Sequence, residues 1–170
     1  PAPANRASAP PVVGERAHGL GRAANHVWIP TVGDGLVMVD PLTNSTRTWN
    51  ATTAPTFPDY RLADARTTVS DVWLGAGSGV IRMDRASGTV LHSYTRADGL
   101  PGDGVVYRVL PDGANVYVGM RNGGVGTLDV GSRHVTPIRN QTPLPGCPSA
   151  QVHMQPPHGR DPWVRPTRGP

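Results

Sequence analysis

The sequence predicts an all-β chain of β-propeller blades, and three observations predict it. An aromatic-centred strand returns at a nearly constant period. A second strand, running from Gly, ends in an Asp about a dozen residues after each of the first three aromatics. The chain of 170 residues also carries 21 Gly and 19 Pro, a density of breakers that leaves little room for long helices.

The first strand class is Asn25-His26-Val27-Trp28-Ile29, repeated as Asp71-Val72-Trp73-Leu74-Gly75 and Asn115-Val116-Tyr117-Val118-Gly119, and begun again at Asp161-Pro162-Trp163-Val164. The aromatic positions 28, 73, 117 and 163 are 45, 44 and 46 residues apart. The Gly-to-Asp segments are Gly35–Asp40, Gly79–Asp84 and Gly124–Asp129. Each Asp opens a turn, where its side chain can bond the following backbone and a Gly or Asn can supply positive φ: Pro41–Asn44, Arg85–Gly88 and Val130–Arg133. A Thr/Val-rich strand follows at Ser45–Asn50, Thr89–Tyr94 and His134–Ile138. The loop Leu100-Pro101-Gly102-Asp103 recurs as Leu144-Pro145-Gly146-Cys147, and each leads into a further short strand. Four short strands per period near 45 residues is the propeller-blade signature, whereas helical repeats of that length need a 3.6-residue periodicity that is absent here.

These phases divide the chain into a Pro/Ala-rich extended arm over 1–14 and propeller repeats over 15–170. Blades fall near 15–50, 60–94 and 105–138, with half of a fourth over 150–170. The innermost strands are expected at 16–21, 60–66, 105–110 and 150–155. Trp28, Trp73, Tyr117 and Trp163 are expected to pack between neighbouring blades. A closed propeller needs about four or more blades, so the chain is expected to be a fragment of a larger protein, or to close against another copy or a protein partner.

Composition bounds the partners. All 16 basic residues are Arg and the net charge is +4, but they are spread evenly, with no basic run and no aromatic interleaving. That pattern fits a codon-driven preference for Arg, and a nucleic-acid partner is not expected. No apolar stretch approaches 18 residues, so no membrane-spanning helix is expected. The single cysteine, Cys147, rules out an intrachain disulfide and a multi-cysteine zinc site.

Two resemblances follow from the motifs. The stretch Asp98-Gly99-Leu100-Pro101-Gly102-Asp103, Val105–Leu110, Asp112-Gly113, Val116–Gly119 and Gly123-Gly124-Val125 resembles the two-component-regulator propeller repeat. His18-Gly19-Leu20, Asn25–Trp28 and Gly35–Pro41 resemble the streptogramin-lyase-like and NHL-type propellers. Both imply the same fold, which hosts sensors, lectins, lyases and scaffolds alike.

Ten residues before each aromatic stand His18, Ala63, Tyr107 and His153, at equivalent inner-strand positions that line a propeller's channel. His18 and His153 are the candidate catalytic residues, since an imidazole serves as a base near neutral pH. In the lyase-like family such His act with acids and a metal; the nearest acids here are Glu15 and Asp64, and neither a metal site nor another cofactor is expected. Tyr107, Arg108 and Asp103 are the candidate binding residues. Three N-x-S/T sequons, at Asn44, Asn50 and Asn140, are candidate glycosylation sites of a secreted protein. The expected function is a non-catalytic propeller module, a sensor or scaffold domain in an extracytoplasmic or secreted setting, recognising a protein or a glycan. The alternatives are a lyase-like enzyme using a channel His, and a structural subunit of a large assembly.

Overall fold

A computed structural model describes residues 20–23 and 26–138. The expectations for the arm, for His18, Asn140, Cys147, His153 and Trp163, and for the partial fourth blade lie outside those residues.

The described chain is three four-stranded antiparallel sheets in sequence order. Blade 1 holds β1 (Gly21–Ala23), β2 (His26–Pro30), β3 (Leu36–Asp40) and β4 (Ser45–Trp49). Blade 2 holds β5 (Leu62–Thr67), β6 (Asp71–Ala76), β7 (Gly79–Asp84) and β8 (Val90–Tyr94). Blade 3 holds β9 (Val106–Asp112), β10 (Asn115–Met120), β11 (Gly124–Asp129) and β12 (His134–Ile138). One short 3₁₀ turn, Arg96–Asp98, is capped by Thr95. The aromatic strand is second in each blade, as the repeat phases predict, and the strands lie within two residues of the predicted bounds in blades 2 and 3. The inner strand of blade 1 is displaced: Gly21 pairs with Trp28, so β1 lies at Gly21–Ala23, C-terminal to most of the expected 16–21.

The turn chemistry explains why each third strand stops. The Asp40 carboxylate accepts the Leu42 N–H and the Thr43 hydroxyl, Asp84 accepts the N–H and hydroxyl of Ser87, and Asp129 accepts the Ser132 N–H. These bonds hold all three carboxyls below the ordinary carboxylate range, led by the Thr43 hydroxyl at Asp40, the Ser87 N–H at Asp84 and the Ser132 N–H at Asp129. Asn44, Gly88 and Arg133 supply the positive φ that turns the chain back. Arg133 takes that role in blade 3, where Gly131 is the more permissive residue. Gly79 answers a different need. At φ +146, a Cβ there would stand 1.9 Å from the Tyr94 carbonyl, so the start of β7 can pack under β8 only without a side chain.

Between blades the packing has a direction. One face of blade 1, with Trp28, Leu36 and Trp49, meets Ala65, Val72, Leu74, Ile81 and Met83 of blade 2 in one buried cluster. The same register face of blade 2, with Trp73, Val80 and Tyr94, meets Val109, Val116, Val118, Leu128 and Val135 of blade 3 in a second. The rings pair within each aromatic face, Trp28 with Trp49 at 5.4 Å between centroids and Trp73 with Tyr94 at 6.0 Å. Trp49 also reaches across, its indole N–H donating to the Gly88 carbonyl at 3.0 Å. Each blade therefore shows an aromatic face to the blade after it and an aliphatic face to the blade before it.

This corrects the expectation for Tyr117. Trp28 and Trp73 are buried between blades as expected, but Tyr117 is half-buried. It sits on the aromatic face of blade 3, beyond which no further blade lies among the described residues. Trp73→Ala should therefore lower unfolding stability by about 3–5 kcal/mol, while Tyr117→Ala at the same register should lower it by only about 1–2. Chemical denaturation of the two variants measures the difference; equal losses would mean that the two faces are equally covered.

Candidate functional site on the bulged inner strands

The inner strands β5 and β9 share a local defect. The β5–β6 pairing shifts between Leu62 and Asp64, and the β9–β10 pairing shifts where Val106 and Arg108 oppose Met120 and Gly119. The residues left out of the ladder are Ala63 and Tyr107, the positions ten residues before the aromatics. A bulge re-aims its side chain, and the Tyr107 ring is 48% exposed while most of blade 3's apolar side chains are buried. The repeat alignment thus marked a structural singularity of each inner strand. His18 and His153 share that alignment but lie outside the described residues.

Polar side chains around the bulges join the two inner strands. Asp64 reaches from blade 2 to accept the Val109 N–H of blade 3 at 3.1 Å. In return, Arg108 of blade 3 donates to the carbonyls of Ala63 at 3.4 Å and of its own neighbour Tyr107 at 3.3 Å. Both cross-blade bonds span 45 residues, one repeat period. Arg66 pairs with the Asp64 carboxylate at 3.4 Å and stays substantially exposed. Asp64 is buried, and its Oδ1 has no hydrogen-bond partner. Burial pushes its carboxyl up, against the Val109 N–H and the nearby Arg66 and Arg108, which pull it down.

A second network ties the bulge to the outer loops. The Arg121 guanidinium binds the Asp103 carboxylate through both Nε and Nη2, and Asn122 donates to the same oxygen at 2.9 Å. The other Asp103 oxygen accepts the Val105 N–H at 3.1 Å. These bonds, Arg121 first, hold the Asp103 carboxyl below its ordinary value. Asp103 first, and the Tyr107 hydroxyl after it, favour the charged Arg121 guanidinium. The structure so brings Tyr107, Arg108 and Asp103 into one neighbourhood, with Asp103 buttressing Arg121 beside Tyr107. Sequence reasoning missed Arg66 and Arg121. Arg121 sits at the β10–β11 turn directly after the strand, and the Asp103 loop opposite it was the available signal.

The two described sequons differ. Asn44 is exposed at a turn. Asn50 is half-buried, and its side-chain oxygen accepts the N–H groups of Thr52 and Thr53. Among the described residues, no three His, Cys, Asp or Glu side chains gather as metal ligands would. None of the described helices is long and apolar enough to cross a membrane.

No family model matches the chain, and no curated protein does. Solved structures do. The extracellular domain of a hybrid two-component system from B. thetaiotaomicron aligns with a TM-score of 0.66 at 16% identity, over 79% of this chain and 20% of that one. The extracellular domain of a one-component system from the same organism aligns at 0.60 and 19% identity, over 72% of this chain and 18% of that one. The computationally designed Ika4 protein aligns at 0.58 and 13% identity, over 78% of each chain. The likeness is one of fold: the chain is built of propeller-like blades, and it spans about a fifth of the length of the two extracellular domains it matches.

The Asp64 geometry yields a signed prediction. A raised folded value means that the fold holds this proton more tightly than the open chain does. Ionisation therefore removes stability as the pH rises from 3.8 through the raised value. Asp64→Asn keeps an acceptor for the Val109 N–H without the buried charge, and should melt at or above the parent at pH 7. Asp64→Ala strands that N–H and should lose about 1–3 kcal/mol. Thermal melts of both variants decide it; equal losses would show that the hydrogen bond across the blades contributes nothing.

Proposed function

We propose that the chain is a non-catalytic binding module of the sensor-propeller type, working outside the cytoplasm, with a protein or glycan ligand held at the bulged inner strands. The observation that carries this reading is the exposed Tyr107 ring at the β9 bulge, flanked by Arg108 and by Arg121. A tyrosine offers a flat apolar surface with a polar tip, which suits a sugar face or a protein side chain. The guanidinium of Arg108 spends its bonds on backbone carbonyls and keeps further N–H donors.

Three further features support it. The Leu100–Asp103 loop and the strands after it carry the regulator-type repeat motif. The fold is shared with extracellular domains of two-component and one-component systems. It is also shared with PorZ, a surface component of the type-IX secretion system of Porphyromonas gingivalis, at a TM-score of 0.57 and 14% identity over 72% of this chain and 16% of that one. In this reading another copy of the chain, or a different protein, completes the ring at the outermost blade faces.

The test is a binding screen of the immobilised chain against glycan and extracellular-protein panels, followed by Tyr107→Ala. The substitution should weaken any captured ligand by about 30-fold or more, the size of a hot-spot loss, with the melting temperature unchanged. A ligand that binds Tyr107→Ala and the parent equally well would place the site elsewhere.

A further inference from the structure

The arginines at the Tyr107 end of the blades give the ligand a chemical class. We infer that it is an acidic oligosaccharide, its carboxylate or sulfate groups taken by Arg61, Arg96 and Arg121 while a sugar ring lies on Tyr107. The inference rests on the reading of Tyr107 as the binding residue.

The three guanidiniums belong to one end of blades 2 and 3. The inner strands begin there, since Leu62 pairs with Ala76 at the end of β6 and Val106 with Met120 at the end of β10. Arg61 precedes β5, Arg121 follows β10, and Arg96 lies in the connection from β8 to β9. Tyr107 is the second residue of β9.

Two of the three are held by carboxylates, and the same device is built twice. Asp59 accepts the Arg61 N–H at 2.8 Å, and 44 residues later Asp103 accepts the Val105 N–H at 3.1 Å. The Gly77 N–H bonds the Arg61 carbonyl as the Arg121 N–H bonds the Val105 carbonyl. In the first set the guanidinium comes from the head of the inner strand, and position 77 is glycine. In the second the head of the strand is Val105, and the guanidinium comes from Arg121. Either way an arginine meets the carboxylate: Arg61 Nε lies 3.5 Å from Asp59, and Arg121 binds Asp103 through two nitrogens. The carboxylates sit beneath. The Arg61 side chain is 68% exposed over an Asp59 side chain that is 8% exposed, and Arg121 is likewise the more exposed member of its pair. A carboxylate behind and water in front aim the guanidinium outward before any ligand arrives.

Arg96 has no carboxylate partner among the described residues. Its stem lies over Gly104, where a Cβ would stand 3.2 Å from Arg96 Cγ and 3.9 Å from the Ser78 carbonyl. Gly77, the residue before Ser78, seats Arg61 in the same way: a Cβ there would stand 2.9 Å from Arg61 Nη2. The β6–β7 turn therefore lies next to both side chains. Asp98, in the same connection as Arg96, is engaged by the Thr95 N–H and faces His92.

Three guanidiniums over two carboxylates leave positive charge uncompensated at the end of the blades that exposes the Tyr107 ring. A protein partner would need a desolvated apolar core, and one ring among charges does not supply it. An acidic sugar chain offers a flat C–H face to the ring and anionic groups to the arginine forks.

Isothermal titration calorimetry on the whole chain tests this with four probes. Hexagalacturonate carries carboxylates alone and sulfated maltohexaose carries sulfates alone; carboxyl-reduced hexagalacturonate and maltohexaose are their neutral counterparts. At least one acidic probe should bind at least about tenfold more tightly than its counterpart, and which one does identifies the anionic group. Arg96→Gln and Arg61→Gln should each weaken that binding about tenfold, the size of one charge-assisted hydrogen bond, with the melting temperature kept. Arg85→Gln, in the turn after β7 at the opposite end of blade 2, should leave it unchanged. Equal loss in Arg85→Gln would reduce the effect to net charge and overturn the inference. So would failure of both acidic probes to bind, or a hexaglutamate peptide that binds as tightly as they do. Neutral probes that bind equally well and are lost in Tyr107→Ala would overturn the ligand class and leave the Tyr107 site standing. Acidic binding that needs the arginines but survives Tyr107→Ala would overturn the Tyr107 reading, and this inference with it.

Discussion

The joint between blades is the interaction on which everything else in this molecule depends. A single four-stranded sheet of twenty-odd residues cannot bury two apolar faces by itself. It buries one against each neighbour, and the two faces differ in kind. Trp28 with Trp49, and Trp73 with Tyr94, make broad ring surfaces. Ala65, Leu74, Ile81 and Met83, and in the next blade Val109, Val118, Leu128 and Val135, make the aliphatic beds that receive them. Two large rings on one side need small or branched residues on the other if the interior is to be close-packed. The asymmetry gives the stack a polarity that runs with the chain. Among the described residues it also leaves unlike faces at the two ends: Tyr117, Val125 and Ile138 at one, and Leu20, Val27, Ile29 and Val39 at the other. At the second end Leu20 is 61% exposed, although Ala65 and Val109 at the same register are buried.

The polar site is a consequence of that joint. Inner strands from adjacent blades converge, and their backbones cannot pair with each other as ladder strands do. Asp64 and Arg108 bridge the gap, one to a backbone N–H and one to a backbone carbonyl, each bond spanning 45 residues of sequence, about one repeat. The bulges at Ala63 and Tyr107 let the strands bend there. In blade 2 the bulge residue is an alanine and nothing projects. In blade 3 it is a tyrosine, and the same bend becomes a presented side chain. A feature needed for packing thus leaves Tyr107 exposed, and the proposed reading gives that side chain the role of recognition.

The blades were legible in the sequence because their determinants are local. The aromatic period, the turn-closing Asp and the Thr/Val strands each depend on a few neighbouring residues, and the strands lie close to where those signals put them except β1, which is displaced. The αL position of the last turn was less legible, because Gly131 looks better suited than Arg133 and the hydrogen bond to Asp129 decides the matter. Tyr117 was misread for a different reason. Its strand is identical in pattern to those of Trp28 and Trp73, and burial depends on what lies beyond the sheet, which no local pattern encodes. The site was half legible. Repeat alignment found Tyr107 as an equivalent position, and the loop motif found Asp103. Arg66 and Arg121 required knowing which strands converge, and the pairing of Asp64 with Val109 required knowing that a carboxylate would be buried there at all.

Among the described residues the two end faces are unlike, and the proposed reading has them meet another copy of the chain or a different protein head to tail. Sedimentation equilibrium of the isolated chain over a wide concentration range is the most direct measurement of that claim. The account predicts reversible, concentration-dependent association that Ile29→Asp, on the aliphatic end face, suppresses without unfolding the blades. A chain that stays a compact monomer at every concentration, with a cooperative melt, would contradict it and would mean that both end faces are satisfied within one molecule.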